Sequence, residues 1–183
     1  MKTLKLVPAF ILSLFVLQAK AQTNGKITLA DNTVLTGLVK DNIRKDASVV
    51  LIADGKEKKY HGADITSATV GETDYTCIKG DFFKVVCNGE LTFLQKASDA
   101  SSKPTTVGNE VFFLSGTEGK PGDYFIYETK NQQLKLVSKK TLNTVVASSF
   151  GTYAPAIEKA KAAQTDIAQL KIAVETYNSR NEK

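Results

Sequence analysis

Residues 25–70 read GKITLADNTVLTGLVKDNIRKDASVVLIADGKEKKYHGADITSATV, and this stretch decides the fold class. Lys26 to Ala30 alternates apolar and polar residues, as a half-buried strand does, and the turn signal Asp31-Asn32 follows. Thr33 to Lys40 reads as a second strand with Gly37 inside it, where a bulge or sharp bend is the usual reason for a glycine. Asp41 to Asp46 is polar and reads as a loop. Ala47 to Ala53 (ASVVLIA) is β-branched and suits a pleated, half-buried surface. Asp54-Gly55 is a hairpin signal, because a type I′ turn needs positive φ at both central positions. Lys56 to His61 carries the chain back, and Ile65 to Val70 closes the segment. So many short strands in so short a stretch predict a small, strongly curved antiparallel barrel or sandwich.

Downstream, Tyr75 to Lys79 and Phe82 to Cys87 flank Gly80-Asp81. Asn88-Gly89 then joins Phe82–Cys87 to Glu90–Gln95, and a two-residue turn would set Cys87 opposite Glu90 and Val86 opposite Leu91. Lys96 to Asn109 has Val107 as its one large apolar residue and reads as a solvated loop. Glu110 to Ser115, Tyr124 to Thr129 and Gln133 to Val137 are further strands. The tail turns helical: Ser138 suits an N-cap for Lys139 to Ser148, Gly151 ends that piece, and Pro155 opens a helix expected to reach Tyr177. Along it Ala160, Ala163, Ile167, Leu170, Val174 and Tyr177 recur at spacings of 3, 4, 3, 4 and 3. Such a stripe packs on the protein's own sheet in most proteins. The rival use is a homodimer through the C-terminal helix, with Ile167, Leu170, Val174 and Tyr177 as its interface. The expected class is mainly β with C-terminal α-helices (α+β): a barrel-like segment over 22–71, a meander over 72–137 and a helical segment over 138–183, the last two forming one unit.

Residues 1–21 read as an address. Lys2 and Lys5 precede the apolar run Leu6 to Leu17, and Ala19-Lys20-Ala21 places small residues where a signal peptidase reads, so cleavage is expected between Ala21 and Gln22. The run is shorter than the roughly 20 apolar residues of a spanning helix. No later run approaches that length, so no transmembrane segment is expected in the mature chain. Gln22 stands where a lipoprotein would need a cysteine. The address implies a secreted or periplasmic protein. Removing it takes three lysines, so the net charge falls from +5 to +2 and a nucleic-acid partner is not expected.

Export also bears on Cys77 and Cys87, for which an oxidising compartment favours a disulfide. The alternative is two separate buried thiols. One histidine and two cysteines leave no metal-ligand set, and no Walker or dinucleotide loop occurs, so no catalytic, metal or cofactor-binding residue is assigned. His61 lies in a polar strand end and reads as an exposed residue. Asp54, Asp64, Asp74 and Asp81 fall at turns, where Asp bonds the local backbone. Lys40, Arg44, Lys45, Lys56, Lys58 and Lys59 could gather on the first barrel, but Asp41, Asp46, Asp54 and Glu57 are interleaved with them. Phe112, Phe113, Tyr124, Phe125 and Tyr127 alternate in strands, half of them toward the core.

Residues 25–70, with a glycine in the second strand, a hydrophobic third strand and an Asp-Gly turn, resemble SH3-like and Sm-like small barrels. The whole chain resembles uncharacterised secreted proteins of Bacteroidetes in its G-x-I-x-L-x-D-N opening, Asp54-Gly55 followed by Tyr60, Asp64-Ile65, the strand Phe82 to Val86 leading to Gly89, and the closing Tyr177-Asn178. That resemblance implies export from a Gram-negative cell and carries no activity. The expected function is a non-enzymatic binding or interaction module at the cell envelope, with a protein or glycan partner. The alternatives are a secreted hydrolase built on acidic residues, and an anion or nucleic-acid binder using the first barrel.

Overall fold

The computed structural model describes residues 23–102, 104–107, 110–113 and 116–181. The expected signal segment and the Ala21–Gln22 junction lie outside the described residues. Five strands open the fold: β1 (Thr23–Leu29), β2 (Val34–Asn42), β3 (Ser48–Ala53), β4 (Lys56–His61) and β5 (Ile65–Val70). Then come β6 (Thr73–Ile78), β7 (Asp81–Cys87), β8 (Leu91–Lys96), β9 (Pro104–Val107), β10 (Glu110–Phe113), β11 (Tyr124–Glu128) and β12 (Gln133–Val137). Ten of them form one antiparallel sheet in the order β12-β11-β8-β7-β6-β5-β1-β2-β3-β4, while β9 and β10 pair separately. The α-helices among the described residues are α1 (Ile43–Asp46), between β2 and β3, and α2 (Leu142–Phe150), α3 (Ala154–Ala160) and α4 (Leu170–Asn178), after the last strand. The molecule is mainly β with C-terminal helices, as the sequence predicts.

Turn chemistry explains most of the hairpins. Asp54 and Gly55 take φ of 51° and 73° between the paired residues Ala53 and Lys56. At the turn between β6 and β7 the positive φ values fall on Lys79 and Gly80, one residue earlier than Gly80-Asp81. The shift moves Asp81 out of the turn and into β7. Asp41 to Asp46 is also more ordered than a loop: β2 runs to Asn42, and Asp41 accepts the Ile43 N–H as α1 begins.

The first five strands curl. β5 returns beside β1, and the end of β4 reaches the start of β7 through a bridge between Gly62 and Gly80. A Cβ at Gly62 would strike the Gly80 carbonyl, so the closure needs a glycine. Ile27, Val39, Val49, Ile65 and Phe82 fill the curl. Phe82 belongs to β7, and β5 pairs with β6 across the turn at Gly71, so the boundary expected near residue 71 falls at a hairpin within a continuous sheet.

The other half of the sheet has a core on each face. On one face α2, α3 and α4 cover Leu91, Phe93, Ile126 and Val137. On the opposite face Phe83, Leu94 and Phe125 form a small buried group, with the Phe83 and Phe125 rings edge-to-face at 5.2 Å. The helix expected from Pro155 to Tyr177 is in fact broken. Asp166 is extended and accepts the Ala168 N–H, which starts a new helical piece and lets α4 fold back against α3. The 3-4 stripe survives the break because both pieces turn it to the same core. Leu170 and Val174 are fully buried there, and Ile167 and Tyr177 are half-buried against it. The expected interface residues therefore pack within the protomer, and Ile172 is the exposed large apolar residue of α4.

Candidate functional site

Among the described residues, the most completely built polar cluster is Asp81 with Lys96. Both side chains are wholly buried, with Nζ 3.1 Å from Oδ2. Asp81 accepts from the N–H groups of Ala100 and Thr117 and from the Thr117 hydroxyl. Lys96 donates to the carbonyls of Thr117 and Gly119 at 2.8 and 3.0 Å. Through these bonds the pair ties both ends of the 97–123 excursion to the sheet. Sequence reading placed Asp81 in a turn and Lys96 in a loop and missed the pair. Its available signal was one charge of each sign at the ends of two apolar strands.

Many of the other acids are committed locally. Asp31, Asp41, Asp64, Asp123 and Asp166 each accept a backbone N–H two or three residues away. Lys40 pairs with Glu57 and Lys59 with Asp46, so interleaved acids take up part of the lysine cluster; Lys58 lies over the Tyr60 ring. The hydrogen bond from Lys59 holds the Asp46 carboxyl below its ordinary range. Burial opposes the charge of Glu128, yet Lys135, Asn131 and Ser149 together hold its carboxyl low. His61 is half-buried at the end of β4. Among the described residues no three His, Cys, Asp or Glu side chains are placed to hold a metal ion.

Cys77 and Cys87 are both free thiols, which corrects the expected disulfide. Cys77 faces Phe82 across β6 and β7 and packs with the first core, whereas Cys87 packs with the helical core. Five residues of strand separate Phe82 from Cys87, about 16 Å. A disulfide needs Cα atoms within about 7 Å. Burial pushes the Cys77 thiol far up and that of Cys87 to about 11, so both behave as packing groups.

The two-residue turn at Asn88-Gly89 also gives way. Cys87 pairs with Phe93 rather than Glu90, and the strand bulges between Val85 and Cys87. The Asn178 side chain at the end of α4 takes the vacated place. Its Oδ1 accepts the Leu91 N–H at 3.0 Å, and its Nδ2 donates to the Leu91 carbonyl at 2.8 Å. A Cβ on Gly89 would collide with that amide.

An open groove of about 410 Å³ crosses the sheet face that carries Phe83 and Leu94. Ser67 and Thr69 of β5, Thr76 of β6 and Thr92 of β8 offer hydroxyls, Val85 gives an apolar floor, and the half-buried Tyr127 of β11 offers a ring. Lys26 and Asp74 are its charged side chains and balance to zero. Of the expected aromatic face, Tyr124 stacks on Phe93 on the helical side at 5.2 Å and Phe125 is buried. Tyr127 is the ring left to the groove, and the side chains of Phe112 and Phe113 lie outside the described residues.

No family model, curated protein or solved structure matches this chain. Among the described residues no helix is long and apolar enough to cross a membrane.

Proposed function

We propose that this is an exported, non-catalytic binding module that holds an envelope glycan in the groove beside Tyr127. The observation that carries the reading is the groove's lining: hydroxyls, the Tyr127 ring and no net charge. Neutral, hydroxyl-rich sugars are matched by such surfaces, where a ring stacks on the sugar face and short polar groups bond its hydroxyls. Export rests on the pattern of residues 1–21. The strand order β5-β1-β2-β3-β4 supports reading the first segment as an SH3-like or Sm-like barrel, used as scaffold. Hydrolysis of a glycosidic bond takes two carboxyl groups about 5–10 Å apart. Asp74 is the one acid lining this groove, and the Thr69 hydroxyl already bonds it at 2.6 Å.

The test is a titration of the purified protein with soluble fragments of envelope polysaccharides, followed by calorimetry. Saturable binding that weakens at least tenfold in Tyr127→Ala and is unchanged in Ile172→Ala is expected. Absence of binding to every fragment, or equal binding by Tyr127→Ala, would overturn the reading.

A further inference from the structure

The opposite sheet face holds a second opening where the first core meets the helical half. Side chains alternate along a strand, so Lys84 and Gln95 point away from the groove side of Val85 and Leu94, and they face each other in the β7–β8 register. Arg44 from α1, Asp41 from β2 and Tyr75 from β6 complete a cleft of about 330 Å³ with Lys84 and Gln95.

Three features of this cleft bear on a ligand. Arg44 and Lys84 both line it, and neither has a carboxylate partner among the described residues. The half-buried Tyr75 hydroxyl also has no hydrogen-bond partner among the described residues, although burial and the Asp41 charge both favour keeping its proton. Gln95 donates its amide to the Gly122 carbonyl, which fixes the side chain at the wall. Lys96, which also lines the cleft, is neutralised by Asp81, and Asp41, with Oδ1 occupied by the Ile43 N–H, offsets one of the two other cations, leaving a net +1. That suits one carboxylate better than a polyanion. At roughly 30 Å³ per water-sized group, the cleft takes a ligand of about ten heavy atoms.

We propose that this seam cleft binds a small carboxylate, with the Arg44 guanidinium and the Lys84 ammonium holding the anion and the Tyr75 hydroxyl donating to it. The carboxylate belongs either to a free small acid or to the C-terminus of a peptide. Guanidinium geometry favours a two-bond grip on one carboxylate, and the ammonium adds a point charge.

Two probes separate the sources at constant ionic strength: succinate, and N-acetyl-Ala-Ala with its C-terminal amide as control. Isothermal titration is expected to show saturable binding of at least one carboxylate and none of the amide. Arg44→Gln and Lys84→Gln, both at exposed positions, should each weaken binding about tenfold without shifting the thermal midpoint. Binding of inorganic phosphate in place of both carboxylates would overturn the assigned chemistry. Absence of saturable binding, or binding untouched in the Arg44→Gln/Lys84→Gln double variant, would overturn the site. Tyr127→Ala should leave this binding unchanged, so it fails or succeeds independently of the glycan groove.

Discussion

Asp81 and Lys96 show what single side chains decide here. Each is buried where an unpaired charge would be costly, and each satisfies the other's charge while bonding backbone groups of the 97–123 excursion. Removing one member of such a pair costs about 3–5 kcal/mol, mostly through the charge left behind. Lys96→Met is expected to lower unfolding stability in urea by that amount. The Asp81→Asn/Lys96→Met double variant should lose less than the sum of the two single losses. The pair was illegible in the sequence because its partners meet only after a one-residue shift of the turn at Lys79-Gly80. A lysine that follows Leu91 to Gln95 looks like the polar end of a strand, and nothing local says that loop carbonyls will fold over it.

Elements were easier to read than their ends. Strand alternation, the Asp54-Gly55 turn and the apolar stripe on the tail are local properties of contiguous residues, and these parts of the fold were legible. Registers and breaks depend on distant groups. The Asn88-Gly89 hairpin looked complete by itself, but α4 supplies an amide that takes over the bonds of Leu91 from a residue 87 positions away. The stripe hid the break at Asp166 because hydrophobic spacing continues through it. Asn178→Ala should strand the Leu91 backbone groups and cost about 1–3 kcal/mol. Hydrogen exchange at the Leu91 amide is the direct check: it should quicken in Asn178→Ala. Glu90→Gln, which removes the half-exposed carboxylate of the pair with Arg180, should cost less than about 1 kcal/mol.

For the molecule as a whole, acid is the informative stress. Asp46 and Glu128 ionise more readily in the folded chain than in the unfolded one, where the ordinary values are 3.8 and 4.5. Their stabilisation is therefore fully present above those unfolded values and fades as pH falls through the lower folded ones. Urea midpoints measured from about pH 6 down to about pH 3 should fall toward the acid end, and Glu128→Gln should flatten part of that decline. The candidate sites were the least legible feature. Tyr127, Thr76, Arg44 and Lys84 are unremarkable in their own segments, and their grouping follows from a ten-strand order that joins β5 to β1 and β6.

The bond between Asn178 and Leu91 also has a consequence in time. A chain made from its N-terminus has every fully buried residue of the first core once Phe82 exists, long before Asn178 is made. The second half waits for Asn178 before Leu91 can be closed. A stop codon after Val174 would therefore release one finished half tethered to one that cannot finish, and a housekeeping protease would find its cut at that unfinished corner.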